Sequence, residues 1–269
     1  MGLRRRSFDW VRYLADFHAA TPGATEHILS RTLAGSHTPY RWLSRAVSPR
    51  AALVVDVACG SGAMSRELAA PGRTVVGVDL SEQELAVARE RSPGPWVCAD
   101  ARRLPLADES VDVVTSSMGV VVVQPLDELF REVARVLRPG GVFAFIAPTA
   151  LPTAPRDLAV LARLGGRLRS LPRFPGPTEW TGYVPTLESV GLRKVESARE
   201  RFHYTVRTPD DAAALVGALY LPGTSEERRR RAVDHLVDRA IRHDEVRVGI
   251  AMRRVVALKQ PAETVGPEL

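Results

Sequence analysis

The chain has 269 residues, of which 45% are hydrophobic and 25% charged, and its formal net charge is +6. This length and apolar content can bury one sizeable α/β core with insertions, so one domain is the expectation. No run of about 18 apolar residues occurs, and we therefore expect no membrane insertion. The two cysteines form no disulfide framework and the basic start precedes no apolar signal core, so a cytoplasmic location is predicted.

The positive charge raises the question of a nucleic-acid partner. Of the 37 basic residues only Lys194 and Lys259 are lysine, and the arginine run 228–231 shares its predicted helix with Glu226 and Glu227. A helix that mixes both signs is by default a solvated surface helix. Nucleic acid is accordingly not the expected partner.

The first 47 residues predict helices. In residues 8–20 the side chains of Val11, Leu14, Phe17 and His18 share one helical face, and the sequence Thr-Pro-Gly at 21–23 ends that helix. Two short helices are predicted to follow, near 23–34 and 38–47.

The next segment predicts a strand that ends in a glycine turn. Residues 54–57 are apolar and β-branched apart from Asp56, and Gly60 and Gly62 follow, where backbone N–H groups can approach a ligand closely. A second strand ends at Asp79, 17 residues beyond Gly62, near the roughly 20-residue spacing of an acid that binds ribose hydroxyls. Ser81 and Glu84 then form a predicted capping box for a helix that runs to about Arg91.

Strands and helices alternate through the rest of the core, which indicates a parallel, doubly wound sheet. The strands are predicted near 53–57, 74–78, 95–99, 111–116, 142–147, 192–199 and 247–258. The helices are predicted from near Ala63 and near 127–137, 155–170, 185–190, 209–220 and 225–243. The last strand is expected to insert antiparallel as the seventh of the sheet.

Two classes of protein carry such a turn. A dinucleotide-binding oxidoreductase has a third glycine in the pattern G-x-G-x-x-G, which lets helix and strand pack closely. Position 65 is Ser65 in this chain, and the oxidoreductase interpretation has no role for Asp56. That carboxylate lies where the ammonium group of an amino acid could be held.

From about residue 50 to 147 the chain resembles the class I S-adenosylmethionine-dependent methyltransferases of the small-molecule type, which include the ubiquinone and menaquinone biosynthesis methyltransferases. The matching blocks, in the order and spacing of the family, are VVDVACGSG at 54–62, VVGVDLS at 75–81, CADARRLPLADESVDVV at 98–114 and EVARVLRPGG at 132–141. The resemblance implies a Rossmann-like fold: a doubly wound seven-stranded α/β sheet, mostly parallel with an antiparallel last strand, an N-terminal helical cap and an inserted helical segment.

The resemblance also implies how S-adenosylmethionine would be bound, with S-adenosylhomocysteine as product and no metal. Asp79 would hold the ribose diol, Leu80 would pack on the adenine ring, and Asp100 with the Ala101 backbone would recognise the adenine. The residues around the methionine part would be Asp56, Ala58, Gly60 and Gly62. Cys59, Ser116 and Ser117 complete the predicted cofactor-binding set, in which Cys59 is expected to be a small apolar filler because cysteine behaves by default as a buried hydrophobe.

The expected reaction is direct in-line transfer of a methyl group to a small molecule or short peptide, in which the protein supplies positioning and excludes water. A hydroxyl acceptor would also need a base. Several members of the family carry a polar pair after the fourth strand, whereas this chain has Met118 and Gly119 followed by four valines. This departure favours an apolar pocket with an amine or carbon nucleophile, or with a base from another segment. The candidate catalytic residues are His18 and Tyr13 in the N-terminal cap. Residues 174–183 are a further source of a base, and Tyr40 is a candidate for a ligand contact.

The predicted organisation is a helical cap at 1–48, a cofactor-binding core at 49–147, a substrate-side insertion at 148–185, the C-terminal part of the sheet with a helical insertion at 186–259, and a flexible tail at 260–269.

Two alternative functions remain open. One is a nucleic-acid methyltransferase, which would present a continuous basic surface beside the cofactor pocket. The other is a catalytically silent module that binds S-adenosylmethionine. The oligomeric state is not predicted.

Overall fold

The computed structural model describes residues 8–178 and 183–261. The helices are α1 (Trp10–Ala20), α2 (Ala24–Leu29), α3 (Pro39–Ser44), α4 (Ala63–Leu68), α5 (Glu82–Arg91), α6 (Leu126–Val136), α7 (Pro155–Leu168), α8 (Val184–Glu188), α9 (Pro209–Gly217) and α10 (Glu226–His243), with a 3₁₀ turn at Gly119–Val121. The strands are β1 (Thr32–Leu33), β2 (Leu53–Val57), β3 (Thr74–Asp79), β4 (Trp96–Cys98), β5 (Val111–Ser117), β6 (Leu137–Pro148), β7 (Leu192–Val206) and β8 (Val246–Lys259).

The strands form one sheet in the order β1-β7-β8-β6-β5-β2-β3-β4. Strands β2 to β6 run parallel to one another, and β8 lies antiparallel between β6 and β7. The doubly wound fold and the antiparallel insertion of the last strand are thus confirmed. The order reverses at β2, beside which such sheets bind ligands at the carboxyl ends of their strands.

The predicted strand count was too low by one. Strand β7 continues to Val206, beyond the predicted end at residue 199, and its outer edge pairs with β1, so that Thr32 lies opposite Tyr204. A two-residue strand has no periodicity that a sequence pattern can reveal. Strand β1 forms because the long β7 offers unpaired backbone groups at its edge.

The core has three parts. One cluster packs α6 and α8 against one sheet face, where Phe130, Phe143 and Phe145 are fully buried. A second packs α3 and α4 against the opposite face. The third joins α7, α9 and α10 over the ends of β7 and β8. The inserted helix α7 therefore shares its core with the later helices α9 and α10.

Three smaller expectations concern exposed or peripheral segments. Val11 was placed on the packed face of α1, but it is 80% exposed, and Tyr13 packs in its stead with Phe17 against Tyr220. The sequence alone does not reveal the ring of Tyr220, which selects this face. Residues 179–182 and almost all of the predicted tail lie outside the described residues. Among the helices that are described, none is long and apolar enough to cross a membrane.

Candidate functional site

The glycine turn after β2 adopts the backbone conformation that its sequence predicts. Ala58, Gly60 and Gly62 have φ values of 53°, 53° and 83°, in the region that costs a residue with a Cβ atom about 1 kcal/mol or more. The turn is tied to the end of β3, because the Gly60 N–H donates to Asp79 Oδ2 at 2.8 Å and the Cys59 N–H donates to the Val78 carbonyl at 3.1 Å. The two sequence blocks therefore form one structural unit.

The two glycines of the turn have different surroundings. A Cβ atom on Gly60 would meet only the Glu84 carboxyl group, at 3.7 Å, whereas one on Gly62 would lie 2.5 Å from the Trp96 ring. Trp96 also covers Gly77 in the middle of β3. A Cβ atom would thus fit at Gly60 in ordinary contact with one side chain, whereas Gly62 makes room for an indole. Sequence reasoning missed Trp96, although a glycine inside a strand can signal such a close approach.

Asp79 and Leu80 lie at the carboxyl end of β3. The two Asp79 carboxylate oxygens each accept one backbone N–H, from Gly60 and from Ser81, both at 2.8 Å. Burial raises the pKa of Asp79 against the lowering effect of these hydrogen bonds. Each oxygen keeps a further lone pair that can accept a hydroxyl group. Leu80 is 68% exposed next to this carboxylate, which leaves an apolar surface for a flat ring.

Asp56 is fully buried behind the turn. Its carboxylate accepts hydrogen bonds from Ser65 Oγ at 2.8 Å and Thr115 Oγ1 at 3.0 Å. Burial raises its pKa to about 7, and these two hydrogen bonds oppose that shift. Ser65 stands where the oxidoreductase pattern has its third glycine, and its hydroxyl group is a hydrogen-bond donor to this carboxylate. The predicted role of Asp56 toward an ammonium group stays a prediction, since its carboxylate is already bound within the protein.

Asp100 and Ala101 follow β4. The Asp100 carboxylate is bound by the Arg102 guanidinium at 3.0 Å from Nε and 2.6 Å from Nη2. This pairing lowers the pKa of Asp100 and keeps its charge. Ala101 is buried. A ligand that contacts Asp100 would share the carboxylate with Arg102, a partner that the sequence pattern did not reveal.

The end of β5 closes the turn from the other side. Ser116 is buried and its Oγ donates to the Val57 carbonyl at 3.0 Å, while Ser117 Oγ is inaccessible and has no partner in the described part of the chain. Gly119 packs on Ala58, because a Cβ atom there would lie 2.7 Å from the Ala58 Cβ. Cys59 is buried, which raises the pKa of its thiol. Its predicted role as an apolar filler stays a prediction.

His18 is connected to both sides of this site. Its Nδ1 lies 2.8 Å from Glu84 Oε1, and its Nε2 lies 3.0 Å from the Tyr220 hydroxyl. The second Glu84 oxygen accepts the Gly23 N–H at 2.9 Å. The predicted capping box is only half formed, because Ser81 Oγ accepts the Glu84 N–H but the Glu84 side chain binds the N-terminal cap. Glu84 is 3% exposed.

The other aromatic candidates of the cap serve different contacts. The hydroxyl group of Tyr13 accepts the Leu221 N–H at 2.8 Å, and its ring lies edge-on to Tyr220. Tyr13 thereby holds the segment that carries Tyr220. Tyr40 is buried against the second core cluster, and burial raises its pKa. Asp112 accepts the backbone N–H groups of Ala52 and Leu53 at 2.6 and 3.0 Å and so fixes the start of β2.

A cavity of about 320 Å³ lies at the carboxyl ends of β5 and β6. Met118, which follows β5, lines this cavity, and the next residue, Gly119, packs on Ala58 of the turn. Tyr220 lines the cavity wall, and its hydroxyl contacts His18. Residues 149–153, helix α7 and strand β8 supply most of the remaining lining, which is largely apolar. The cavity volume lies at the lower end of the range for small-molecule sites.

The residues of the turn fit a nucleoside-bearing cofactor. Gly60 leaves space at the turn, Asp79 offers carboxylate lone pairs, and Leu80 offers an exposed apolar face, all at the switch point of the sheet order. Among the described residues, no group of three or more His, Cys, Asp or Glu side chains is arranged to hold a metal ion.

Comparisons with known proteins identify the class of protein that has this fold and this glycine turn. Residues 55–145 match the family described as "Methyltransferase domain". The chain is 39% identical over 113 residues to malonyl-[acyl-carrier protein] O-methyltransferase of Enterobacter lignolyticus, covering 41% of this chain and 45% of that protein. It is 47% identical over 107 residues to demethylmenaquinone methyltransferase of Clavibacter sepedonicus, covering 36% and 42%.

Among solved structures, a protein from Bacillus halodurans C-125 described as a candidate methyltransferase has the same fold. Its TM-score is 0.58 at 20% identity, over 83% of this chain and 99% of that one. Residues 55–145 therefore form a domain of the class I S-adenosylmethionine-dependent methyltransferase type. The matched stretch is less than half the length of each of the two curated relatives.

Replacing Asp79 by alanine tests the ribose-binding role. We expect affinity for S-adenosylhomocysteine to fall by on the order of 30-fold or more, about 2 kcal/mol, because the ribose hydroxyls and the Gly60 N–H both lose their acceptor. Titration calorimetry measures this affinity. Asp112→Ala is the control, since its carboxylate binds backbone groups at the start of β2, away from the turn. Equal affinities of the two variants would contradict the assignment.

Proposed function

We propose that this protein transfers a methyl group from S-adenosylmethionine to an apolar small molecule bound in the cavity beside Met118. The observation that carries the proposal is the shared sheet edge, where the cofactor-type turn and a largely apolar cavity meet at the carboxyl ends of neighbouring strands. The two curated relatives are named for different acceptors, so the class of acceptor is inferred from this chain's own cavity.

The bound cofactor would supply an electrophilic methyl group on its sulfonium. The protein holds the acceptor in a cavity whose apolar walls exclude water, which positions the nucleophile and strengthens local electrostatic interactions. Asp79, Leu80 and Gly60 would hold the nucleoside side of the cofactor. Asp56, Ala58, Cys59 and Ser116 shape the turn behind it, and Asp100 with Ala101 would border the adenine.

His18 and Tyr220 would serve an acceptor that must lose a proton. Burial raises the pKa of Tyr220, so its phenol stays protonated and donates to His18 Nε2, while His18 Nδ1–H donates to Glu84. Both ring nitrogens of His18 are occupied, and a proton from the cavity would therefore reach Nε2 through the Tyr220 hydroxyl. Tyr13 would position this segment through Leu221.

The apolar cavity also supports this function over nucleic-acid methylation. In the arginine run of α10, Arg231 pairs with Glu227, and Arg229 donates to the Leu221 carbonyl at 3.1 Å. Two of the four arginines in this run are therefore bound to other groups of the protein. No described feature of the cavity favours a phosphate backbone, whose recognition requires positive charge along the binding surface.

Calorimetric titration with S-adenosylmethionine and S-adenosylhomocysteine tests the cofactor, and mass spectrometry of reactions with phenols, amines and small peptides tests transfer. We expect binding in the micromolar range or tighter and a product heavier by one methylene unit. Tyr220→Phe should slow transfer to a phenol with little change in cofactor affinity. Absence of binding to both compounds would refute the proposal, and binding without transfer to any acceptor would favour the silent module.

A further inference from the structure

One end of the acceptor cavity carries charged side chains. Among the described residues that line it, Asp157 and Arg201 are the charged ones. Asp157 belongs to α7 and Arg201 to β7, which lies two strands beyond β6 in the sheet, so these side chains mark one end of the cavity. A polar group in an otherwise apolar pocket usually sets the orientation and specificity of its ligand.

The strand register brings two polar side chains together at this end. Ala251 of β8 lies opposite Arg201 of β7, and on its other side its carbonyl accepts the Thr149 N–H at 3.0 Å. Residues directly opposite each other in antiparallel strands project from the same face of the sheet. Thr149 and Arg201 therefore flank Ala251 on the face that borders the cavity.

Thr149 has an unused hydrogen-bonding group there. Its Oγ1 is inaccessible and has no hydrogen-bond partner in the described part of the chain, although Thr149 lines the cavity. A buried hydroxyl without a partner costs about 1–3 kcal/mol. A ligand atom that accepts a hydrogen bond would remove this cost.

The charge of Arg201 is already balanced. Its Nε lies 2.7 Å from Asp157 Oδ2, and the Asp157 side chain is 3% exposed. Asp157 fits closely over Gly249, where a Cβ atom would lie 2.6 Å from the carboxyl carbon. This contact involves one nitrogen of the guanidinium, whose two terminal nitrogens carry four further N–H donors. This end of the cavity thus offers hydrogen-bond donors without a net charge.

We propose that the cavity selects an apolar acceptor that carries a neutral carbonyl or ester oxygen, which accepts from Thr149 Oγ1 and the Arg201 guanidinium. A carboxylate would place a second negative charge beside Asp157, and an uncompensated charge in such a site is costly. The apolar body then extends toward Met118 and Tyr220. This inference rests on the proposed function only in naming the ligand an acceptor, since the binding preference itself needs no methyl transfer.

Three naphthalene compounds of one ring system test the proposal: methyl 2-naphthoate, 2-naphthoate and 2-ethylnaphthalene. Each is titrated calorimetrically into the full chain at pH 7.5, with and without S-adenosylhomocysteine. We expect the ester to bind on the order of tenfold more tightly than the hydrocarbon or the carboxylate, as one or two added hydrogen bonds imply. Titration of S-adenosylhomocysteine alone on the same sample tests the cofactor site separately.

Two variants test whether the Thr149 hydroxyl causes the preference for the ester. Thr149→Val keeps the shape of the side chain and should weaken the ester about fivefold without changing the hydrocarbon. Thr153→Val is the matched control, because Thr153 lines the same cavity but its hydroxyl already donates to the Ala150 carbonyl. Thermal unfolding confirms that both variants fold. Equal binding of ester and hydrocarbon, tightest binding of the carboxylate, or an unchanged ester affinity in Thr149→Val would each overturn the proposal.

Discussion

Replacing Gly60 by valine is expected to abolish binding of S-adenosylhomocysteine while the protein stays folded. Gly60 has a φ of 53°, and the space at its missing side chain is bordered by the Glu84 carboxyl group. A branched side chain would occupy the space that a cofactor needs and would strain the turn whose N–H binds Asp79. Titration calorimetry should detect no heat of binding.

Gly72→Val is the matched control for this experiment. Gly72 also has a positive φ, 75°, and a Cβ atom there would meet nothing within 4 Å. The control therefore carries comparable backbone strain at a site with open surroundings. It should lose some stability and keep its affinity for the cofactor. If Gly60→Val binds as tightly as this control, the turn does not hold the cofactor.

The pKa of Asp56 should make the protein less stable as the pH rises. The pKa is about 7 in the folded state, against an ordinary value of 3.8, so between these values the folded state holds a proton that the unfolded state has released. The free energy of unfolding therefore falls with rising pH across this window and levels off above pH 7. The difference of about three units between the two pKa values corresponds to about 4 kcal/mol of unfolding free energy. About 3 kcal/mol of this stability is lost between pH 5 and 8.

Asp56→Asn removes this proton and keeps the shape of the side chain. Its amide can still hydrogen-bond Ser65 and Thr115, so the variant should gain about 3 kcal/mol relative to wild type between pH 5 and 8, measured by urea unfolding without cofactor. Asp112→Asn is the control, because backbone N–H groups and Arg138 lower the pKa of Asp112 despite partial burial. Its stability relative to wild type should not change over this range. A constant difference for Asp56→Asn would refute the assignment.

The sequence predicted the candidate site residues whose place follows from their own backbone conformation or from their position after a strand. Gly60, Asp79 and Leu80 follow strands whose apolar pattern predicts their ends, and parallel strands bring their carboxyl ends to one edge. The partners of Asp56 and Asp100 illustrate the other case. Hydrogen bonds of Ser65 and Thr115, or of Arg102, depend on side-chain positions that spacing does not specify.

The network of His18 depended still more on tertiary structure. His18 and Tyr220 are separated by 202 residues, and no local pattern links them. Their contact exists because α1 packs on the segment after α9, with Tyr13 bound to Leu221. Sequence reasoning reached His18 only as a polar residue in a cap and had no route to Glu84 or Tyr220 as its partners.

The sequence by itself determined the doubly wound fold, the glycine turn and the order of the core elements, because hydrophobic periodicity and glycine conformations act over a few neighbouring residues. Only the tertiary structure decided the eighth strand, the packing of Trp96 over Gly62, and the cavity with Thr149 and Arg201 at its polar end. These features arise where segments far apart in the chain meet, and their chemistry depends on which side chains the fold brings into contact.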